Sequence, residues 1–231
     1  MNRKKWLVLP ALLFAYLLAV AIWASGAFDA AARLAAPAEV VSLTNRQTAI
    51  LLRVEDPSFY ERSGLSIVPG QGMATISGAV ARDLFLYQGE FGGVRGGFQK
   101  FYRKVFDCCR RVDLGRDVMA LVLDAKMPKQ EQLARYTASV YMGTNNGSQI
   151  RGLGQASRSY LGKPLTEATE LEFIQLVAMI KAPNHYHPLK NPGALAERTR
   201  RIQALVSGQC AADGWFDTSF DKCMLQHARV L

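Results

Sequence analysis

Residues 6–28 form a run of 23 without a charge, and it follows directly on Arg3, Lys4 and Lys5. An α-helix rises about 1.5 Å per residue, so the run predicts a helix roughly 34 Å long. A bilayer core is about 30 Å thick. The basic cluster before it predicts an N-terminus in the cytoplasm. Trp6 and Trp23 stand near the two ends, as an aromatic belt would. A cleaved signal peptide would use the small residues Ala24-Ser-Gly-Ala27, but its apolar region is usually about 7–15 residues. The run is therefore read as an uncleaved, single-pass anchor in the inner (cytoplasmic) membrane. Everything after Asp29 is then periplasmic or otherwise outside.

The formal charge is +9, and apolar residues make up 49% of the chain. A real core is available, and no acidic residue precedes Asp29. The part beyond the anchor stays basic, which suits an anionic membrane surface or a phosphate-bearing substrate. Nucleic acid is not an expected partner, since no aromatic-interleaved basic motif or zinc-finger spacing occurs. Cys210 and Cys223 bracket a Gly/Asp-rich loop that a disulfide would close in an oxidising compartment. Adding His227 falls short of a structural zinc set, so no metal site is expected. Cys108 and Cys109 are neighbours, and adjacent cysteines rarely bridge each other. They read as buried thiols, or one pairs elsewhere.

Along the chain, residues 30–38 read as a small-residue linker. A helix is predicted over 44–54 with Thr44 as N-cap. Residues 65–73 and 89–97 read as glycine-rich loops. Helical spacing over 74–86 rests on Ile76, Val80, Leu84 and Phe85. Helices follow over 98–111 and 118–126, then from Pro128 to about Met142. Residues 143–154 are rich in glycine and asparagine. Thr169 and Glu172 form a capping box before an apolar helix ending near Lys181. Asn191-Pro192 opens a last helix, to about Val206. No run of alternating strands is evident. The division is an anchor at 1–28, a linker at 29–40, a mostly helical domain at 41–206 and a cysteine-bracketed extension at 207–231.

Glu55 and Asp56 end the apolar helical run of Ile50, Leu51, Leu52 and Val54, and Pro57 stops the helix. A carboxylate at such a helix end lies half in the core. Burial there can raise its pKa toward the range of a general acid or base, while the plainer reading is a solvated helix terminus.

With these blocks in order, the chain resembles the glycosyltransferases of family 51, the peptidoglycan polymerases of bifunctional penicillin-binding proteins and of monofunctional membrane-anchored enzymes. The family's first motif is Glu-Asp-x-x-Phe-x-x-His-x-Gly. Glu55, Asp56, Phe59 and Gly64 match it in register, with Arg62 in the place of the His. The second motif keeps Gly72, Thr75, Ile76 and a hydroxyl at Ser77 but loses both glutamines, and Arg82 and Leu84-Phe85-Leu86 continue the pattern. Arg103-Lys-Val-Phe-Asp107 matches the third motif with Asp for Glu. Lys129 to Gly143 then comes later than the family spacing. Residues 152–163 resemble the fourth motif, and 171–188 the fifth, with Ile180 in place of the family's first proline. The match covers about 41–206.

The resemblance implies a mainly α, lysozyme-like, two-lobed fold. It implies transfer of a glycosyl unit from a lipid-linked peptidoglycan precursor, with a polyprenyl pyrophosphate leaving. Glu55 would be the base, with Asp107 as the second catalytic carboxylate. Asp56, Thr75, Ser77, Arg82, Arg103 and Lys104 would meet sugar or pyrophosphate. No cofactor is required, although a divalent cation at the pyrophosphate is an option. Other cell-wall synthesis proteins would be partners. The altered motifs imply slowed polymerisation. Against it stands a binding or scaffolding protein of the same fold, without turnover. A glycan-cleaving enzyme is a third class, but no second carboxylate stands out at hydrolase spacing. Glu172 and the flanking pair His185 and His187 read as structural.

Overall fold

The computed structural model describes residues 3–35, 41–64, 74–106 and 113–223. Residues 65–73 with Gly72, the side chain of Trp6, Asp107, Cys108, Cys109 and His227 lie outside the described residues. The chain is mainly α-helical, as expected, and gathers into two compact units.

The first unit holds α1 (Arg3–Leu34), α3 (Ile76–Arg82) beyond its first residue, α4 (Gly93–Val105) and α5 (Leu114–Lys126). From Val8 to Leu34, α1 is long and apolar enough to cross a membrane. Leu9 is 76% and Phe14 68% exposed, whereas Val20, Ala24, Ala27 and Ala31 are buried. The expected linker is instead helix as far as Leu34. Alanine is the best helix former, and its small side chain lets α1 lie close along α5. The approach is tight at Gly115, where a Cβ would sit 2.3 Å from the Tyr16 hydroxyl and 2.4 Å from that of Tyr102. Trp23 packs among Phe85, Phe91 and Phe98, and its indole N–H donates to the Arg95 carbonyl at 3.2 Å.

The predicted helix over 74–86 becomes α3 followed by a π-helical turn, Asp83–Tyr87. The Gln88 amide donates to the Asp83 carbonyl five residues back, at 2.9 Å. Such a turn leaves carbonyls without ladder partners. Fully buried Gln99 answers this by donating to the carbonyls of Phe85 at 2.9 Å and Gly89 at 2.8 Å, while accepting from the Phe91 amide. Helix α4 begins at Gly93, inside the stretch read as loop, and runs to Val105, while residues 107–111 of the expected helix lie outside the described residues. The glycines that suggested a loop include Gly96, where a Cβ would strike the Phe91 carbonyl oxygen at 2.0 Å. That glycine serves close packing and not flexibility.

The second unit holds α2 (Asn45–Glu55), α6 (Lys129–Ser139) past its first residue, a hairpin, α7 (Leu153–Leu161), α8 (Glu170–Ile180) and α9 (Pro192–Val206). Helix α8 buries Phe173, Ile174, Leu176, Val177, Ala178 and Met179. A helix apolar all round belongs in the middle of a core, and α8 touches α2, α7, α9 and the hairpin. The glycine- and asparagine-rich stretch holds a hairpin, β1 (Tyr141–Asn145) and β2 (Ser148–Arg151), running into α7. Asn146 and Gly147 both have positive φ, as a two-residue hairpin turn requires. The expected disulfide between Cys210 and Cys223 is formed. The Thr44 and Thr169 caps are formed too, each as a capping box.

Candidate functional site

Glu55 is the last residue of α2. The Thr44–Gln47 capping box fixes where the helix starts, and buried Ile50, Leu51 and Val54 fix its rotation. The last turn is therefore set, and the Glu55 side chain with it. Tyr136, buried on α6, donates its hydroxyl to Glu55 Oε2 at 3.4 Å. Burial raises the Glu55 pKa from 4.5 to about 7. The charge of Arg198, the Tyr136 hydrogen bond and the charge of Lys181 pull the other way, while neighbouring Asp56 adds to the rise. Such a carboxyl exchanges its proton near neutral pH, as a general base must.

The two cations come from the far end of the sequence. Arg198 is 2% exposed, on the buried face of α9 with Leu195, Thr199, Ile202 and Leu205. Its Nε donates to the Ala178 carbonyl at 3.0 Å and its Nη1 to the Thr218 carbonyl at 3.1 Å. The guanidinium lies 5.3 Å from the Tyr186 ring centroid and 5.8 Å from that of Phe220. Lys181 follows α8 and donates to the Ser219 hydroxyl. Burial lowers the pKa of both groups, and Glu55 raises it. Neither was singled out from the sequence. The available signal was an arginine at a core position: 195, 198, 199, 202 and 205 trace one helical stripe.

Asp56 is 2% exposed, and its Oδ2 accepts from the Ile76 amide at 2.9 Å. It thus ties the end of α2 to the residue that opens α3, within the second unit. Thr75, just before, is half-buried. Ser77 is buried in the first unit and accepts from Lys129 Nζ at 3.3 Å. Lys129 also pairs with Asp124 at 2.5 Å. Arg82 is exposed, its guanidinium 4.7 Å from the centroid of the Tyr87 ring. Arg103 and exposed Lys104 share the last turn of α4, and Arg103 bonds Glu90 at 3.3 Å. The nearby carboxylate Asp113 caps α5: its Oδ1 accepts from the Gly115 and Arg116 amides and from the Tyr102 hydroxyl. So Glu55, Asp56, Tyr136, Lys181 and Arg198 belong to the second unit, and Ser77, Arg82, Arg103 and Lys104 to the first.

The residues read as structural make fold contacts. Glu172 accepts from the Thr169 amide and pairs with Lys163 at 2.8 Å, which holds its pKa down at about 2. His187 Nδ1 accepts from the Leu189 amide, so Nε2 carries the proton and donates to the Thr144 carbonyl. His185 packs edge-on against Tyr186. Among the described residues no three His, Cys, Asp or Glu side chains gather as metal ligands would.

Residues 27–207 match the family model described as Transglycosylase. Penicillin-binding protein 1B of Escherichia coli (strain K12) is 28% identical over 177 residues, covering 71% of this chain and 19% of that protein. Penicillin-binding protein 1B of Vibrio cholerae is 32% identical over 162 residues, covering 68% and 19%. Penicillin-binding protein 1A of Streptococcus oralis is 35% identical over 91 residues, covering 39% and 14%. The chain spans about a fifth of the length of the first two.

Proposed function

We propose, for a chain that belongs to the transglycosylase family, that it is a peptidoglycan glycosyltransferase extending glycan strands from a lipid-linked disaccharide-peptide precursor. The observation that carries this reading is Glu55. It is a carboxyl raised to about 7, hydrogen-bonded by Tyr136, in the register of the family's first motif.

In this mechanism Glu55 takes the proton from an acceptor sugar hydroxyl. The hydroxyl oxygen forms a bond to the donor's anomeric carbon as the bond from that carbon to the pyrophosphate oxygen breaks. The leaving pyrophosphate keeps the electron pair. Arg198 and Lys181 keep part of the Glu55 population ionised at neutral pH. Arg103 clamps a phosphate through its planar fork, and Lys104 and Arg82 add positive charge. Thr75 and Ser77 hydrogen-bond sugar or phosphate, Asp107 is the second carboxylate, and Asp56 holds the frame. No cofactor is required, and a divalent cation at the pyrophosphate is tested as an assay variable. The exposed apolar half of α1 supports a single-pass anchor in the inner membrane, with the N-terminus in the cytoplasm and the domain outside. Other cell-wall synthesis proteins are the proposed partners.

Asp107 is one methylene shorter than Glu, and both second-motif glutamines are lost, so turnover is slow in this reading. One observation favours the alternative, a precursor-binding or scaffolding protein: Ser77 is buried and already bonded to Lys129. Purified full-length protein in detergent, given lipid-linked precursor, decides between them. Polymer is expected, and Glu55→Gln should lower its rate at least about a hundredfold, as for loss of a general base. Precursor binding without polymer, unchanged in Glu55→Gln, would support the alternative.

A further inference from the structure

The segment 210–223 follows the last helix and lies beyond the matched span 27–207. The Cys210–Cys223 disulfide closes it into a loop. One end is pinned to α9, because the Cys210 amide donates to the Ala204 carbonyl at 3.3 Å. Asp217 braces the interior, accepting from the amides of Asp213 at 3.0 Å and Phe220 at 2.9 Å. Arg201 bonds Asp221, and Lys222 bonds Asp213.

Three consecutive residues of this loop face the cations of the Glu55 site. The Thr218 carbonyl accepts from Arg198, the Ser219 hydroxyl accepts from Lys181, and the buried Phe220 ring lies beside the Arg198 guanidinium. Thr218 acts through its backbone, so what matters there is the path of the loop. The disulfide closes the loop that carries it.

We propose that the disulfide-closed loop 210–223 is a positioning element for the Glu55 site, fixing Arg198 and Lys181 opposite the carboxylate so that its acid–base behaviour depends on an oxidised Cys210–Cys223 pair. The catalytic consequence rests on the reading of Glu55 as the base, whereas the positioning itself does not. The groups facing Glu55 are Asp56 from the end of α2, Tyr136 from α6, Lys181 after α8 and Arg198 from α9. Asp217 and Asp221 face Lys181, and Asp221, Arg201 and Tyr186 face Arg198. Loosening the loop leaves Asp56 and Tyr136 where they are and weakens the positive field. Less positive charge disfavours the carboxylate, so the titration of Glu55 moves upward.

The test is the titration midpoint of the Glu55 carboxyl in the full chain in micelles. It is read by NMR of carboxyl-labelled glutamate, with Glu55→Gln to assign the signal. Cys210→Ser/Cys223→Ser should raise the midpoint by about one unit, the lower end of what a nearby charge contributes. Phe220→Leu keeps the disulfide but removes the ring beside Arg198, and should raise the midpoint by less. It carries the test if the double variant does not fold. An unchanged midpoint in either folded variant overturns the proposal. The acid limb of the polymerisation profile should move with the midpoint. If Glu55→Gln still polymerises, the base assignment fails, while a shifted midpoint still supports the positioning role.

Discussion

Glu55 holds its proton up to about pH 7 because burial outweighs the pull of Arg198, Tyr136 and Lys181. Two pH dependences follow, with opposite signs. A base works deprotonated, so polymerisation should climb through about pH 7 and level off above it. Stability should run the other way. Below the ordinary value of 4.5 both folded and unfolded chains carry this proton. Between 4.5 and about 7 only the folded chain does, so its contribution falls as pH rises through that window. The loss levels off above pH 7 at on the order of 3 kcal/mol, an upper figure from the size of the shift. Glu55→Gln should therefore melt at a higher temperature than the parent at pH 8.5 and at nearly the same temperature at pH 4. Thermal melts at the two pH values check this, and a variant less stable than the parent at pH 8.5 would contradict it.

At the scale of elements, the π-helical turn and α4 depend on one buried amide. Gln99 meets the carbonyls of Phe85 and Gly89 and the amide of Phe91. Replacing it by leucine strands buried backbone groups at about 1–3 kcal/mol each. Gln99→Leu should lower the melting temperature, and hydrogen exchange should rise first over residues 83–105. Gln99→Glu should rescue little, since a carboxylate cannot donate to two carbonyls. Where the sequence was legible follows from the reach of its signals. Caps and apolar stripes act within four residues, so Thr44, Thr169, Asn191 and the face of α2 could be seen. Glycine is ambiguous: in 89–97 it marks close packing, and at Asn146-Gly147 it turns a hairpin. Arg198 and Lys181 meet Glu55 only through tertiary packing, and no local pattern announces an electrostatic partner more than 120 positions away.

For the whole molecule, α1 is the element with two surroundings. Its first part offers exposed Leu9, Leu12 and Phe14, and its later part contributes Val20, Trp23, Ala24, Ala27 and Ala31 to the first unit's core. A chain begun at residue 20 should keep the aromatic packing around Trp23 and lose only apolar surface. One begun at residue 36 lacks Trp23 and should open Phe85, Phe91 and Phe98 to solvent, and faster hydrogen exchange over α4 reports the difference. The burial of Ala24 and Ala27 has a further consequence. A peptidase takes its substrate as an extended strand, and these small residues are held in a helix with their side chains against the protein. Once the first unit has folded, the bonds a leader peptidase would choose are closed to it. Any trimming there has to win a race against folding.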